Sequence, residues 1–234
     1  DAAIGWYERA RGVFEELNQP ANAALVTGNI GDVLKDRGHW RQAQAAYQQA
    51  IDIFQELRDL ERQSETLFAL GNLYRTQNKV DAEKASYQQA VELYNRNWDA
   101  HLALGLLQFD DEPGLAEQAC RHALDGLPVH EILAHVGLAI AAAGRGELSQ
   151  VQAEIETTQS LLAVAQKKYT VVELHWEALR IVVSALDAPE QALQDSQAFD
   201  LSAVPVDERD LIEIAFGYLS ILAKWLLSDS QASG

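Results

Sequence analysis

The chain has 234 residues, of which 48% are hydrophobic and 23% charged, with 14 Gly, 5 Pro and one Cys. This composition excludes collagen-like and mucin-like chains and a disulfide framework. Because 35 acidic and 18 basic side chains leave a net charge of -17, we expect neither nucleic acid nor membrane partners. The longest apolar run, 132–143, is too short to cross a bilayer, so we predict a soluble cytoplasmic protein.

A 40-residue repeat organises the first half of the chain. Residues 47–54 (YQQAIDIF) recur as residues 87–94 (YQQAVELY), with four identities and four conservative exchanges. Gly31 is likewise followed 40 residues later by Gly71. A repeat of this length is typical of stacked supersecondary units that share one core. An earlier copy of the second half of the repeat is visible at Tyr7, Ala10, Phe14 and Leu17.

Within each copy the apolar residues recur at helical spacing, and short polar breaks at 37–39 and 77–79 separate two such stretches. Each repeat is therefore predicted to be an antiparallel helix pair. Late helices are predicted at 150–166, 169–186, 189–199 and 207–227. In chain order, we expect 1–19 as the second helix of a truncated repeat, repeats at 22–58, 62–97 and 98–129, a divergent repeat at 130–166, and a degenerate helical repeat with a capping helix at 167–234.

Small residues and tyrosines alternate between the two helices of a repeat. Gly31 and Gly71 remove a side chain from the first helix, and we expect Tyr47 and Tyr87 on the second helix to fill that space. The glycines are thus predicted to occupy equivalent positions in successive units.

This pattern resembles the tetratricopeptide repeat family. The resemblance lies in Leu67, Leu70, Gly71 and Tyr74 of a first helix and in Ala43, Tyr47 and Ala50 of a second helix, although Glu83 replaces the expected Ala. It implies an all-α fold, a right-handed superhelix (α-solenoid) of stacked antiparallel helix pairs running through residues 1–234. The 40-residue unit is similar to that of kinesin light chains and bacterial multidomain signalling ATPases.

The resemblance also implies a concave groove, lined by first helices, that binds another protein or a peptide. Positions matched to the family are Leu25, Asp32, Lys35 and Asp36 in the first full repeat, Glu65, Phe68, Asn72 and Arg75 in the second, and Leu102, Leu106 and Phe109 in the third.

The charge of the partner stays open at this point. Asn72 and Arg75, with Lys35, could hold a carboxylate, as some family members do; alternatively, Lys35 and Arg75 form salt bridges with Asp32 or Asp36 at a solvated rim. The 21 acidic and 7 basic residues of 98–234 would favour a basic partner, or serve only solubility.

The first predicted helix carries an apolar edge at Trp6, Val13, Phe14 and Leu17. Such an edge needs cover, either from repeats further upstream or from a second copy in a homo-oligomer. The absence of Met also led us to expect a piece of a longer protein, the scaffold or sensor arm of a signalling regulator.

Motifs for catalysis, cofactors and metals were sought in the sequence and not recognised. There is no phosphate-binding P-loop, and His130 and His135 are five residues apart, which places them on different helix faces. The lone Cys120 is read as a small buried hydrophobe. We therefore expect no enzyme, no cofactor and no metal; the alternatives are a structural oligomerisation element and, remotely, an enzyme site near His175, Trp176 and Glu177.

Overall fold

The structure is a computed structural model that describes residues 2–168, 181–182, 184–185, 188–201, 204 and 209–232. Within these ranges it contains helices and no strands. The predicted helix 169–186 lies largely outside the described residues, and the alternative enzyme site at His175, Trp176 and Glu177 lies wholly outside them. The helices are α1 (Ala2–Glu16), α2 (Pro20–Asp36), α3 (Trp40–Leu57), α4 (Leu60–Thr76), α5 (Val80–Leu93), α6 (Trp98–Gln108), α7 (Pro113–Ala123), α8 (Pro128–Gly144), α9 (Leu148–Lys168), α10 (Pro189–Ala198) and α11 (Arg209–Ala232).

The turns of the first unit explain the length of the repeat. α1 to α4 are each followed by a residue with left-handed φ, between 54° and 73°, and these residues recur every 20 positions. After each one, the next backbone N–H donates to a carbonyl five residues back, at 2.9–3.0 Å, which closes the helix end. Two identical closures make one 40-residue repeat. The left-handed residues are Asn18, Gly38, Arg58 and Asn78.

Helix starts follow local rules as well. Proline stands at the first position of four helices, where its fixed φ suits the helix and its missing N–H costs nothing. α4 instead begins after Asp59, whose carboxylate accepts the backbone N–H of Arg62 at 3.2 Å. The four prolines are Pro20, Pro113, Pro128 and Pro189.

The chain divides into two compact units, residues 1–100 and 101–234. In the first, α2 packs on α3 and α4 on α5, and neighbouring pairs stack on each other through α3 and α4. A Cβ on Gly31 would come within 2.7 Å of the Tyr47 ring, and one on Gly71 would meet the Tyr87 ring more closely still. The predicted equivalence of the two glycines is therefore confirmed, as is the all-α fold of stacked antiparallel helix pairs.

The second unit fills its glycine positions in another way. Tyr218 of α11 is fully buried, and its ring and hydroxyl are what a Cβ on Gly137 or Gly105 would meet. The Tyr218 hydroxyl donates to the Leu102 carbonyl at 2.9 Å. Cys120 is fully buried beside it, 3.4 Å from that hydroxyl, and burial raises the pKa of its thiol to about 12. The thiol is thus kept neutral, consistent with its reading as a small hydrophobe.

Candidate functional site

The candidate site is one face of α2 and α4, which pack beside each other. Residues 40 apart occupy equivalent positions, so the matched side chains of the two helices lie in the same register. Leu25 is 42% exposed, Asp36 and Glu65 are exposed, and Asp32 and Phe68 are half-buried. We call these five residues the first-helix face.

Phe68 provides the aromatic surface of this face. Its ring lies 5.6 Å from the ring of Tyr87, measured between centroids, with the planes tilted by 34°. Because Tyr87 is itself fully buried, Phe68 rests on an immobile support while part of it stays accessible. A half-buried aromatic ring held in this way suits an anchor for an apolar side chain of a partner.

The predicted carboxylate-binding trio does not form a surface. Asn72 is 0% exposed, and its side-chain oxygen accepts the Tyr87 hydroxyl at 2.5 Å. Lys35 is only 8% exposed. The reason is steric, because each glycine draws a tyrosine inward and the hydroxyl of that tyrosine reaches the next residue of the first helix. In the preceding repeat the Tyr47 hydroxyl accordingly donates to Asp32 at 2.6 Å.

Arg75, the third member of that trio, acts electrostatically on Glu83 of the adjacent helix. Burial raises the pKa of the Glu83 carboxyl to about 7, while the charge of Arg75 and a hydrogen bond from Tyr87 lower it. Arg75 is half-buried, and the acid it stabilises belongs to its own hairpin. Neither the predicted carboxylate clamp nor salt bridging to Asp32 or Asp36 accounts for this arrangement.

The charge that stays accessible on α4 is acidic. The pKa of the Glu65 carboxyl is raised by partial burial and then by the negative charge of Glu61, with smaller contributions of the same sign from Asp59 and Asp99. Arg62 alone opposes them in this set. A carboxylate surrounded by other carboxylates gains free energy when a cation approaches.

The groove positions predicted in the third repeat are covered by the chain itself. Leu102 is fully buried and Phe109 is 9% exposed, packed edge-on against Tyr218 with ring centroids 5.6 Å apart. Leu106 is half-buried and is the side chain that a Cβ on Gly217 would meet. These three residues are therefore unavailable to a partner, because α11 occupies their side of α6. The prediction that they line an open groove is wrong.

The predicted self-association edge on α1 is partly exposed. Trp6, Val13 and Leu17 are 68%, 52% and 59% exposed, and the Arg9 guanidinium lies 4.1 Å from the centroid of the Trp6 ring. Phe14 is half-buried and packs against the core of the first unit. Whether this edge binds a second copy stays a prediction.

The histidines singled out in the sequence have separate structural partners. His130 accepts the backbone N–H of Leu127 at 3.0 Å and so closes the start of α8, while His135 lies 2.6 Å from Glu154. Throughout the described ranges, no group of three or more His, Cys, Asp or Glu side chains is arranged to hold a metal ion. No helix among the described residues is long and apolar enough to span a membrane.

Two buried residues of structural importance escaped sequence reasoning. Asn97 accepts the backbone N–H of Ala100 at 3.0 Å and donates to the Ser64 hydroxyl at 2.9 Å, and Ser64 in turn donates to the Ala90 carbonyl. This chain of hydrogen bonds ties three helices together. An Asn directly before a predicted helix start was the available signal.

Comparison with known proteins follows from this geometry. The sequence model of the tetratricopeptide repeat matches residues 21–96, which cover α2 to α5. Residues 21–96 belong to the tetratricopeptide repeat family. The curated proteins include no match to the chain.

Among solved structures, the tetratricopeptide chain is similar to BtubC (BKLC) from P. vanneervenii, at 15% identity and a TM-score of 0.54, over 72% of this chain and 77% of that one. It is also similar to the MamA protein, at 17% identity and a TM-score of 0.50, over 72% of this chain and 96% of that one. At such identities these likenesses show the fold alone. The family supports a protein–protein interaction module as the general class of function.

Proposed function

We propose that the first-helix face binds a segment of another protein that carries an apolar side chain flanked by Lys or Arg. The observation that carries this proposal is the separation of charges on α2 and α4. Lys35 is buried and Arg75 stabilises an acid of its own hairpin, whereas Asp32, Asp36 and Glu65 keep accessible surface. A basic segment complements that distribution, while an acidic one would meet like charge.

Two physical features favour such binding. Phe68 is supported by a buried ring and Leu25 is fixed on a packed helix, so a partner would lose mainly its own conformational freedom on binding. The carboxylates would accelerate encounter with a basic segment and make its affinity depend on salt. The partner segment lies in an extended or helical conformation, the two forms that grooves of packed helices accept.

A selection experiment tests the preferred chemistry. Random peptides displayed on phage are selected on the whole chain, and we expect enrichment of sequences with an apolar residue next to Lys or Arg. The affinity of a selected peptide should fall about tenfold or more in Glu65→Lys and in Phe68→Ala, and should weaken as salt rises. Val80→Ala is a suitable control, because Val80 is 52% exposed on α5, outside this face.

Two results would contradict the proposal. One is enrichment of acidic peptides; the other is binding that Glu65→Lys and Phe68→Ala leave unchanged while circular dichroism shows both variants folded. Glu65→Lys is the sharper variant of the two, because Glu65 is exposed and contributes little to packing.

The wider role that we propose is the scaffold or sensor arm of a larger cytoplasmic regulatory protein without catalytic activity of its own. A second candidate function is homo-oligomerisation, which the exposure of Trp6 and Val13 on α1 favours. Sedimentation velocity over a range of concentrations distinguishes the two, since only the second requires a dimer that depends on those residues.

A further inference from the structure

The outer side of α1 is the surface that neither the fold nor the proposed function uses. Its residues correspond, 40 positions earlier, to residues of α3 that are 0–1% exposed, yet in α1 they are only half-buried. One side of α1 packs on α2 and the core of the first unit. The difference therefore marks an uncovered side of the helix. The corresponding pairs are Tyr7 with Tyr47, Ala10 with Ala50, and Phe14 with Phe54.

The complete hairpins show what covers this side when it is filled. In each, the first helix presents a glycine to the tyrosine ring and the residue directly after that glycine accepts the tyrosine hydroxyl. Gly31 and Asp32 do this for Tyr47, at 2.6 Å between hydroxyl and carboxylate oxygen. Gly71 and Asn72 do the same for Tyr87, at 2.5 Å to the amide oxygen.

The same comparison separates the exposed residues of α1 into two kinds. Trp6 is 68% exposed, but its counterpart Ala46 in α3 is only 9% exposed, so a covering helix would bury part of the indole. Leu17 is 59% exposed and its counterpart Leu57 is still 42% exposed. The surface to be covered is thus centred on Tyr7 and Trp6 and does not extend to Leu17.

We infer that the outer side of α1 binds an amphipathic helix, antiparallel to α1, that presents Gly followed by Asp or Asn to Tyr7. The glycine admits the ring and the polar residue accepts the hydroxyl, which otherwise would be desolvated without a partner. Small residues are expected along the same stripe, because Trp6 stands where α3 has Ala46. This inference concerns the edge of the stack and does not depend on the first-helix face.

The chain offers its own sequence as a probe. Residues 20–40, added directly before Asp1, carry the pair Gly31 and Asp32 and place them in the register that they have toward Tyr47. We expect this extended chain to melt about 4 °C higher or more. Amide hydrogens of α1 should exchange at least about tenfold more slowly, while those of α5 stay unchanged.

Two control extensions keep the inference falsifiable. An added segment with Gly31→Leu should lose the protection of α1, because its side chain would overlap the Tyr7 ring; one with Asp32→Ala should lose it in part. Equal protection by all three segments, or by none, would overturn the inference. A concentration-dependent dimer of the unextended chain that Val13→Asp abolishes would also overturn it, by assigning this side of α1 to a second copy.

Discussion

The two units fill equivalent glycine positions with tyrosines from different places in the chain. In the first unit, the tyrosine comes from the second helix of the same hairpin, 16 residues after the glycine, as with Gly31 and Tyr47. In the second unit, Tyr218 of α11 reaches Gly105 and Gly137 from far along the sequence. The packing requirement is the same, and the source of the ring differs.

Cys120 explains the difference. It stands at the aromatic position of its repeat, and its thiol is too small to fill the space that Tyr47 and Tyr87 fill in the first unit. Tyr218 takes that space, and its hydroxyl lies 3.4 Å from the Cys120 sulfur. The consequence for function is that α11 covers Leu102 and Phe109, whereas the first-helix face in the first unit keeps exposed side chains. A single residue exchange thus accompanies the loss of an accessible face.

The largest expected effect is that of removing the distant tyrosine. Tyr218→Ala should destabilise the second unit by about 3–5 kcal/mol, because a fully buried ring and its hydrogen bond to Leu102 are lost. Urea denaturation followed by circular dichroism measures this. Tyr218→Phe serves as the control and should cost only about 1 kcal/mol. An equally small loss for both variants would show that other residues hold α11.

The second repeat of the first unit should respond to pH through Glu83. Its folded-state pKa of about 7 lies above the ordinary 4.5, so the folded state binds the proton more tightly than the unfolded state. Stability should therefore be highest below about pH 4.5 and fall by up to about 3 kcal/mol as the pH rises to about 7. The groups that act on this carboxyl are Arg75 and Tyr87.

Glu83→Gln supplies the control for this prediction. The amide cannot ionise, so the difference in unfolding free energy between the two proteins should change across the same pH window and stay constant above it. Urea titrations at pH 5, 6, 7 and 8 would reveal the trend. A pH-independent difference would contradict the assignment of a raised pKa to Glu83.

Glycine substitutions test whether the close contact of ring and helix is what the repeat requires. Gly71→Ala should destabilise the first unit by about 1–3 kcal/mol, since its Cβ would overlap the Tyr87 ring. Gly28→Ala, on the preceding first helix, has open space around the added Cβ and should stabilise by about 0.5–1 kcal/mol. Thermal melts of both variants decide the point, and effects of the same sign would refute it.

The smallest expected effect concerns the turns. Arg58 has a left-handed φ of 57° at a position where Gly38 stands in the preceding turn. Arg58→Gly should therefore stabilise the chain by about 0.5–1 kcal/mol, the strain of a side chain in this conformation less the flexibility that glycine adds to the unfolded state. Differential scanning calorimetry is sensitive enough, and Gly38→Ala should give the opposite sign.

Much of the fold could be predicted from the sequence, because helical periodicity and the repeat are local signals. The equivalence of Gly31 and Gly71 and the burial of Tyr47 and Tyr87 follow from the spacing alone. The candidate site was harder to predict. Matched positions identify the helix face correctly for Leu25, but they cannot tell an accessible side chain from one that a neighbouring tyrosine or α11 has enclosed.

Asn72 and Leu102 illustrate this limit. Both occupy positions that the family resemblance places in a groove, and both are fully buried. The sequence by itself determined the helices, their turns and the glycine–tyrosine contacts, since these depend on residues at most one hairpin apart. Only the tertiary structure decided which faces stay open, because that depends on where the distant α11 packs and on which cations the hairpins have already enclosed.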